Sequence, residues 1–203
     1  MKVIDAEQGT AEWLAGRAGK VTASMISAVE SKIDTASYKD YQAQLVAEIL
    51  TGKPQGSGFS NEAMQFGIDT EPLARSAYEA ETGRNVDEIG LCIHPTIERS
   101  GASPDGLVGD SGLLEIKCPK VATHLGYLVA NVVPAKYKNQ MMWQMACTGR
   151  DWCDFVSFRP DLPEHLQLFL IRFNRDNKRI AEMEAAVIKF LAGVDAMIDK
   201  LNE

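Results

Sequence analysis

The stretch SPDGLVGDSGLLEIKCP, residues 103–119, reads as a β-hairpin that carries two carboxylates and an ammonium where apolar residues would be ordinary. Asp105 sits in a Pro-Asp-Gly turn, a composition suited to reversing the chain. In the arm that follows, Glu115 and Lys117 share one face of a strand, while Leu114, Ile116 and Cys118 share the other. If the two arms pair, Asp105 returns beside Glu115. Adjacent carboxylates repel, and in a partly buried place one of them tends to keep its proton. A divalent cation removes the conflict, because hard oxygen ligands suit Mg²⁺, which takes one or two carboxylates with water and substrate phosphates. A neighbouring lysine can then orient or deprotonate a water, or meet charge developing on phosphorus. The constellation suits metal-assisted phosphodiester hydrolysis. Three blander or different readings stand beside it. Glu115–Lys117 is also compatible with a solvent-facing pair of little consequence, and Asp105 with a turn residue alone. A glycosidase-type carboxylate pair is the third, and it leaves the lysine unexplained.

Outward from the hairpin, the period of the apolar residues assigns the flanking elements. Upstream, Ile89–Ile97 reads as a strand, as does Leu113–Cys118 within the hairpin. Residues 10–18 read as a short helix ended by Gly19, and a second short helix follows, capped by Thr22 or Ser24 and carrying Met25, Ile26 and Val29 on one side. Residues 37–52 form an amphipathic helix with Tyr38, Tyr41, Leu45, Val46, Ile49 and Leu50 inward and Gly52 closing it. Residues 52–59 are a loop by composition, and 61–83 are helical with a kink or break at Pro72. Downstream come helices over 122–132 and 134–149, two β-rich runs split by DLPEH, and a long amphipathic helix from Asp176 to the end of the sequence. The order predicts an α/β fold with a mixed central sheet flanked by helices.

The bulk numbers fit one domain, residues 1–203: 45% of the residues are hydrophobic and 24% charged. No window approaches the ~18 consecutive apolar residues of a membrane helix, and the first residues lack a secretory apolar region, so a cytoplasmic address is expected. Four widely spaced cysteines without a CxxC pair read as reduced packing residues. The net charge of −7 argues at first against a nucleic-acid partner. The distribution is uneven, however. Residues 28–114 hold fourteen acids against six bases, whereas 115–150 hold Glu115 alone against Lys117, Lys120, Lys136, Lys138 and Arg150. Such a strip can guide a polyanion along a cleft, and it equally fits a solvated helix face.

PDGL followed by LLEIK resembles the PD-(D/E)xK nuclease core, and SPDGL followed by LEIKCP is similar to the YqaJ-like viral recombinases, the phage lambda-type exonuclease family. The similarity extends to QGTAEWLAGRAGKVTAS (8–24), AMQFGIDTEPLAR (63–75) and YKNQMMWQMACTG (137–149), so the ordered blocks cover residues 8 to 149. The resemblance implies a restriction-endonuclease-like core with a long C-terminal helix. It implies that Asp105, Glu115 and the Ile116 carbonyl bind one or two Mg²⁺ or Mn²⁺ ions, that Lys117 activates or positions the attacking water, and that Glu71 and Gln140 border the reaction. Arg17, Ser24 and Ser103 match positions that hold a terminal 5′-phosphate. By their residue types alone, Arg17 also fits a surface residue, and Trp13 fits the core better than a base-stacking platform. The activity implied is 5′→3′ degradation of one strand of linear double-stranded DNA to mononucleotides, leaving a 3′ tail. The partners implied are a homotrimeric ring around the duplex and a single-strand annealing protein, in a phage- or prophage-encoded system of a bacterial host. Two alternatives remain beside it: an endonuclease specific for a structure or sequence, and a non-catalytic DNA-end binder.

Overall fold

A computed structural model of the chain describes residues 1–55 and 62–203. Half of the loop expected over 52–59, residues 56–59, and Asn61 at the start of the next helix lie outside the described residues. The elements are, in order, β1 (Lys2–Ile4), α1 (Ala11–Arg17), β2 (Val21–Thr22), α2 (Ile26–Val29), α3 (Ala36–Thr51) and α4 (Glu62–Thr82). There follow β3 (Val86–Asp87), β4 (Leu91–Ile93), β5 (Ser100–Ala102), β6 (Gly106–Val108) and β7 (Gly112–Lys117). The chain then runs through α5 (Val121–Ala130), α6 (Ala135–Thr148), β8 (Trp152–Phe158), β9 (Leu168–Asn174) and α7 (Asn177–Asn202).

The strands form two sheets rather than one. A small one has the order β1-β4-β5-β2, and the larger has the order β3-β6-β7-β8-β9. Both are mixed. In the larger, β7 pairs antiparallel with β6 and parallel with β8. The parallel partner requires a long crossover, and α5 and α6 supply it. Helices cover both faces of β7, which explains why its residues are buried from Gly112 to Ile116. On one face Leu113, Cys153 and Phe155 join α2, α3, α6 and α7 in the main core. On the other, Leu114, Ile116 and Val156 pack on Ala74 and Tyr78 of α4.

Local chemistry explains where the helices begin and end. Thr10, Thr35 and Asp176 accept backbone N–H groups at the starts of α1, α3 and α7, offsetting the loss of helical partners there. Gly52 ends α3 in the left-handed region, with φ 65°. The long C-terminal helix α7 packs on α2, α3 and α6, with Phe190 edge-on to Tyr38 and stacked on Tyr41.

Four sequence expectations are corrected. The strand expected over Ile89–Ile97 is confined to Leu91–Ile93, because His94 Nδ1 accepts the N–H groups of Thr96 and Ile97 and turns the chain at Pro95. Neither Thr22 nor Ser24 caps α2. A 3-10 turn over Ala23–Met25 leads into it, and Thr22 makes no side-chain cap bond. Ile49 and Leu50 are 36% and 51% exposed, since the last turn of α3 runs past the core. Of the kink or break expected at Pro72, the break is absent, since α4 is one helix with Pro72 inside it; the carbonyl deprived of its donor belongs to Ile68, an exposed residue. Among the described residues, no helix is long and apolar enough to cross a membrane. The four cysteines are free thiols, with Cys92, Cys147 and Cys153 in the main core.

Candidate active site

The hairpin pairs Gly106 with Leu114, which sets Asp105 across from Glu115 on the same face. Asp105 N–H donates to the Leu114 carbonyl at 3.1 Å, and Asp105 Oδ2 accepts the Ile116 N–H at 2.6 Å. In a strand a residue's N–H and C=O point to the same edge. The Ile116 carbonyl therefore also lies on the Asp105 side, beyond the end of β6. Lys117 Nζ stands 2.5 Å from Glu115 Oε1 and 3.9 Å from Asp105 Oδ2. The two carboxylates and the ammonium are gathered as the sequence predicts.

Glu115 is fully buried, and α6 supplies its partners. Gln140 Nε2 donates to Oε1 at 2.6 Å, and Gln144 Nε2 donates to Oε2 at 2.5 Å. Gln140 thus holds the carboxylate of Glu115. Gln144 escaped the sequence reading, although its spacing of four residues from Gln140 places both on one helix face.

Crowded charge shows in the acid–base behaviour. Burial pushes the Asp105 carboxyl up to about 8, with Glu115 and Glu71 pushing the same way against Lys117 and the Ile116 N–H. Burial lowers the Lys117 ammonium, but Glu115 and Asp105 outweigh it and hold the group well above its ordinary value. Glu71, on α4, accepts Arg75 Nη2 at 3.0 Å. Burial raises its carboxyl, Arg75 and Lys117 oppose that, and the Glu115 charge adds to it, so Glu71 feels the hairpin's charges. Arg75 also pairs with Glu88.

The residues present fit a hard divalent cation. A carboxyl pushed toward its protonated form by burial and by a second carboxylate facing it is what a cation relieves. Two carboxylates and one backbone carbonyl leave positions for water and substrate oxygens, the manner in which Mg²⁺ is usually held. Among the described residues, no group of three or more His, Cys, Asp or Glu side chains converges as a metal cage.

Two cavities meet at the hairpin. A groove of about 1270 Å³ is lined by Glu71, Ile116, Lys117, Lys120, Tyr137 and Arg159, among others. Lys117 and Lys120 of the basic strip face it, whereas Arg150 pins the hairpin turn by donating to the Gly109 and Gly112 carbonyls at 2.7 Å. Beside the groove, a pocket of about 130 Å³ is lined by Arg17, Ser24, Ser103, Asp105 and Gln140 together. Arg17 Nη2 donates to Thr22 Oγ1 and Ser24 Oγ, each at 3.4 Å, and Trp13 Nε1 donates to Ser103 Oγ at 2.9 Å. The Arg17 guanidinium lies 4.0 Å above the Trp13 ring.

Trp13 therefore does not belong to the core: α1 buries none of its residues, and Trp13 walls both cavities. Its spacing of four from Arg17 is the signal that places both on one side of α1. Thr22, read in the sequence only as a helix cap, and Tyr137 and Arg159, not singled out there, also border these cavities.

A model of the YqaJ-like viral recombinase domain matches residues 12–151. The structure superposes on an alkaline exonuclease from Laribacter hongkongensis with a TM-score of 0.89, at 49% identity over 95% of this chain and 96% of that one. That exonuclease has also been crystallised in complex with dAMP. A phage-related exonuclease from Haemophilus somnus, 18% identical, shares the fold with a TM-score of 0.69, over 90% of this chain and 96% of that one. A protein of Acanthamoeba polyphaga mimivirus is 29% identical over 173 residues, 79% of this chain. The chain spans 30% of that relative's length.

Proposed function

The chain belongs to the YqaJ-like viral recombinase family, and from that premise we propose that it is a metal-dependent 5′→3′ exonuclease of linear double-stranded DNA. Its products on this reading are mononucleotides and a 3′ single-stranded tail for phage-type recombination. The observation that carries the proposal is the pocket in which Arg17, Ser24 and Ser103 share walls with Asp105 and Gln140. A guanidinium and two hydroxyls suit a terminal phosphate dianion. Their place beside the hairpin acids supports a reading in which a terminal phosphate held there would present the first phosphodiester to the reacting groups. The exonuclease from Laribacter hongkongensis supports the same class of chemistry.

Asp105, Glu115 and the Ile116 carbonyl would hold Mg²⁺ or Mn²⁺, one or two ions per site. When bound, such an ion supplies Lewis acidity toward a phosphoryl oxygen and a bound water of lowered pKa. The chain's own residues do the rest. Glu115 enters the reaction fixed in place, because Gln140 and Gln144 each donate to one of its oxygens. Lys117 carries its charge at neutral pH and is directed by Glu115, so it orients the attacking water and faces the charge developing on the phosphate. Glu71 of α4 is held by Arg75 and lines the groove with Lys117, where its carboxylate can accept a hydrogen bond from the water. Copies of the chain would form a trimeric ring, and the 3′ tail would pass to a single-strand annealing protein. Sedimentation of the purified protein tests the ring.

The test of function is nucleotide release from linear 5′-phosphorylated duplex, with Mg²⁺, without it, and with Asp105→Asn. Release that requires both the metal and Asp105 supports the proposal. Release at the no-metal rate refutes it.

A further inference from the structure

Gln144 lies outside both cavities, and no motif of the sequence singles it out, yet it is fully buried and spends its amide on the reacting hairpin. A carboxylate offers only acceptors. The Gln144 nitrogen must therefore face Glu115 Oε2, which leaves Gln144 Oε1 pointing the other way. It meets Cys153 Sγ at 4.0 Å, and a thiol donates weakly to an amide oxygen. Cys153 belongs to β8, the parallel neighbour of β7, in register with Leu113. The amide thus bridges from α6 to β7, with its oxygen beside Cys153 of β8, whose thiol also has the Asp154 carbonyl within reach at 3.9 Å, and its orientation is set by the bond to Glu115.

The consequence for Glu115 is a division of its two oxygens. Oε2 is taken by Gln144 in the sealed interior, whereas Oε1 is shared by Gln140 and Lys117 at the pocket side. Without Gln144 the buried oxygen has no partner, and the carboxylate must turn to find one. We propose that Gln144 is a positioning residue that locks the plane of the Glu115 carboxylate, so that Oε1 is the oxygen presented to a divalent cation. The inference rests on the reading of Asp105 and Glu115 as cation ligands. Partners that orient a metal-binding carboxylate typically carry ~10–100-fold of metal affinity.

The test is calorimetric titration of Mn²⁺ into the wild-type protein, Gln144→Met, Glu115→Gln and the double variant. Methionine has nearly the shape of glutamine and suits a helix that already buries Met141 and Met145. The expected result is Mn²⁺ affinity lowered about 10–100-fold in Gln144→Met. No further loss is expected when Gln144→Met is added to Glu115→Gln, because the first acts only through the second. Wild-type affinity in Gln144→Met, or losses that multiply in the double variant, would overturn the proposal and leave the function reading intact. Failure of the wild-type protein to bind Mn²⁺ would overturn both. A second readout needs no variant: the side-chain amide resonance of Gln144 in the wild-type protein should shift on Mn²⁺-site occupancy by diamagnetic Mg²⁺. An unmoved resonance at saturation contradicts the role.

Discussion

Lys117 Nζ lies 2.5 Å from Glu115 Oε1, two residues earlier on the same strand, and the ammonium holds a position between the two carboxylates of the hairpin. This is the arrangement expected of a cation that both neutralises the site at rest and meets a phosphate during reaction. Replacing Lys117 with Met should lower nucleotide release by ~10²–10⁴-fold, the span of a positioned proton-handling or charged group. The same change should leave Mg²⁺ binding as tight as in the wild-type protein or tighter, since a competing cation has gone. Parallel rate and binding measurements check it, and loss of both together would place Lys117 in the fold rather than in the reaction.

Arg17 is the guanidinium of the small pocket, and among the described residues its side chain has only two hydroxyls, at 3.4 Å, for hydrogen-bond partners. A charge-assisted hydrogen bond is worth ~1.5–3 kcal/mol, so Arg17→Ala should reduce the rate preference for 5′-phosphorylated over 5′-hydroxyl ends by about 10–100-fold. Arg17→Lys should restore only part of it, because an ammonium lacks the planar fork. Initial rates on the two substrates give the ratio. An unchanged ratio would mean the terminal phosphate rests elsewhere.

The hairpin acids make metal binding pH-dependent. In the metal-free protein the Asp105 carboxyl is raised from 3.8 to about 8, first by burial and then by Glu115. The folded state therefore keeps a proton that the unfolded chain has lost. This contribution to stability is complete below pH 3.8 and disappears as the pH rises through about 8. A cation favours the ionised carboxylate, so the rise in melting temperature caused by Mg²⁺ should be larger at pH 9 than at pH 6. Thermal melts with and without Mg²⁺ at the two values decide it. Equal shifts would remove Asp105 from the ligand set.

Behind the sheet, Tyr78 of α4 donates to buried Asp154 of β8 at 2.8 Å, and Arg172 of β9 grips both oxygens of that carboxylate. Tyr78→Phe removes one bond to a charged group and should cost about 1.5–3 kcal/mol in denaturant unfolding. Asp154→Ala leaves Arg172 without its partner and Tyr78 unsatisfied, and should cost more. A change below ~0.5 kcal/mol in both, the range of ordinary surface substitutions, would show that this contact does not tie α4 to the sheet.

The hairpin was legible because its signals are local. A period of two puts Glu115 and Lys117 on one face, and a Pro-Asp-Gly turn brings Asp105 beside them once the two arms pair, as they do. The amphipathic helices were legible for the same reason, down to the Gly52 cap. What remained hidden depends on distant partners. Gln144 reads as one more polar residue on α6 until Glu115, 29 positions away, is brought to it. Trp13 reads as core by its size, and only the exposed setting of α1 makes it a cavity wall. The division of the strands into two sheets was equally invisible, since β1, β2 and β3 are two or three residues long and carry almost no period.

The most direct test of an end-directed nuclease compares one DNA sequence in two forms, under the same Mg²⁺ and protein concentrations. Linear 5′-phosphorylated duplex should release mononucleotides, with a label at the 5′ end leaving before one placed inward. The covalently closed circular form should stay intact, because it offers no terminal phosphate to the pocket of Arg17, Ser24 and Ser103. Cleavage of the closed circle at a comparable rate, or loss of the inward label first, would contradict the reading.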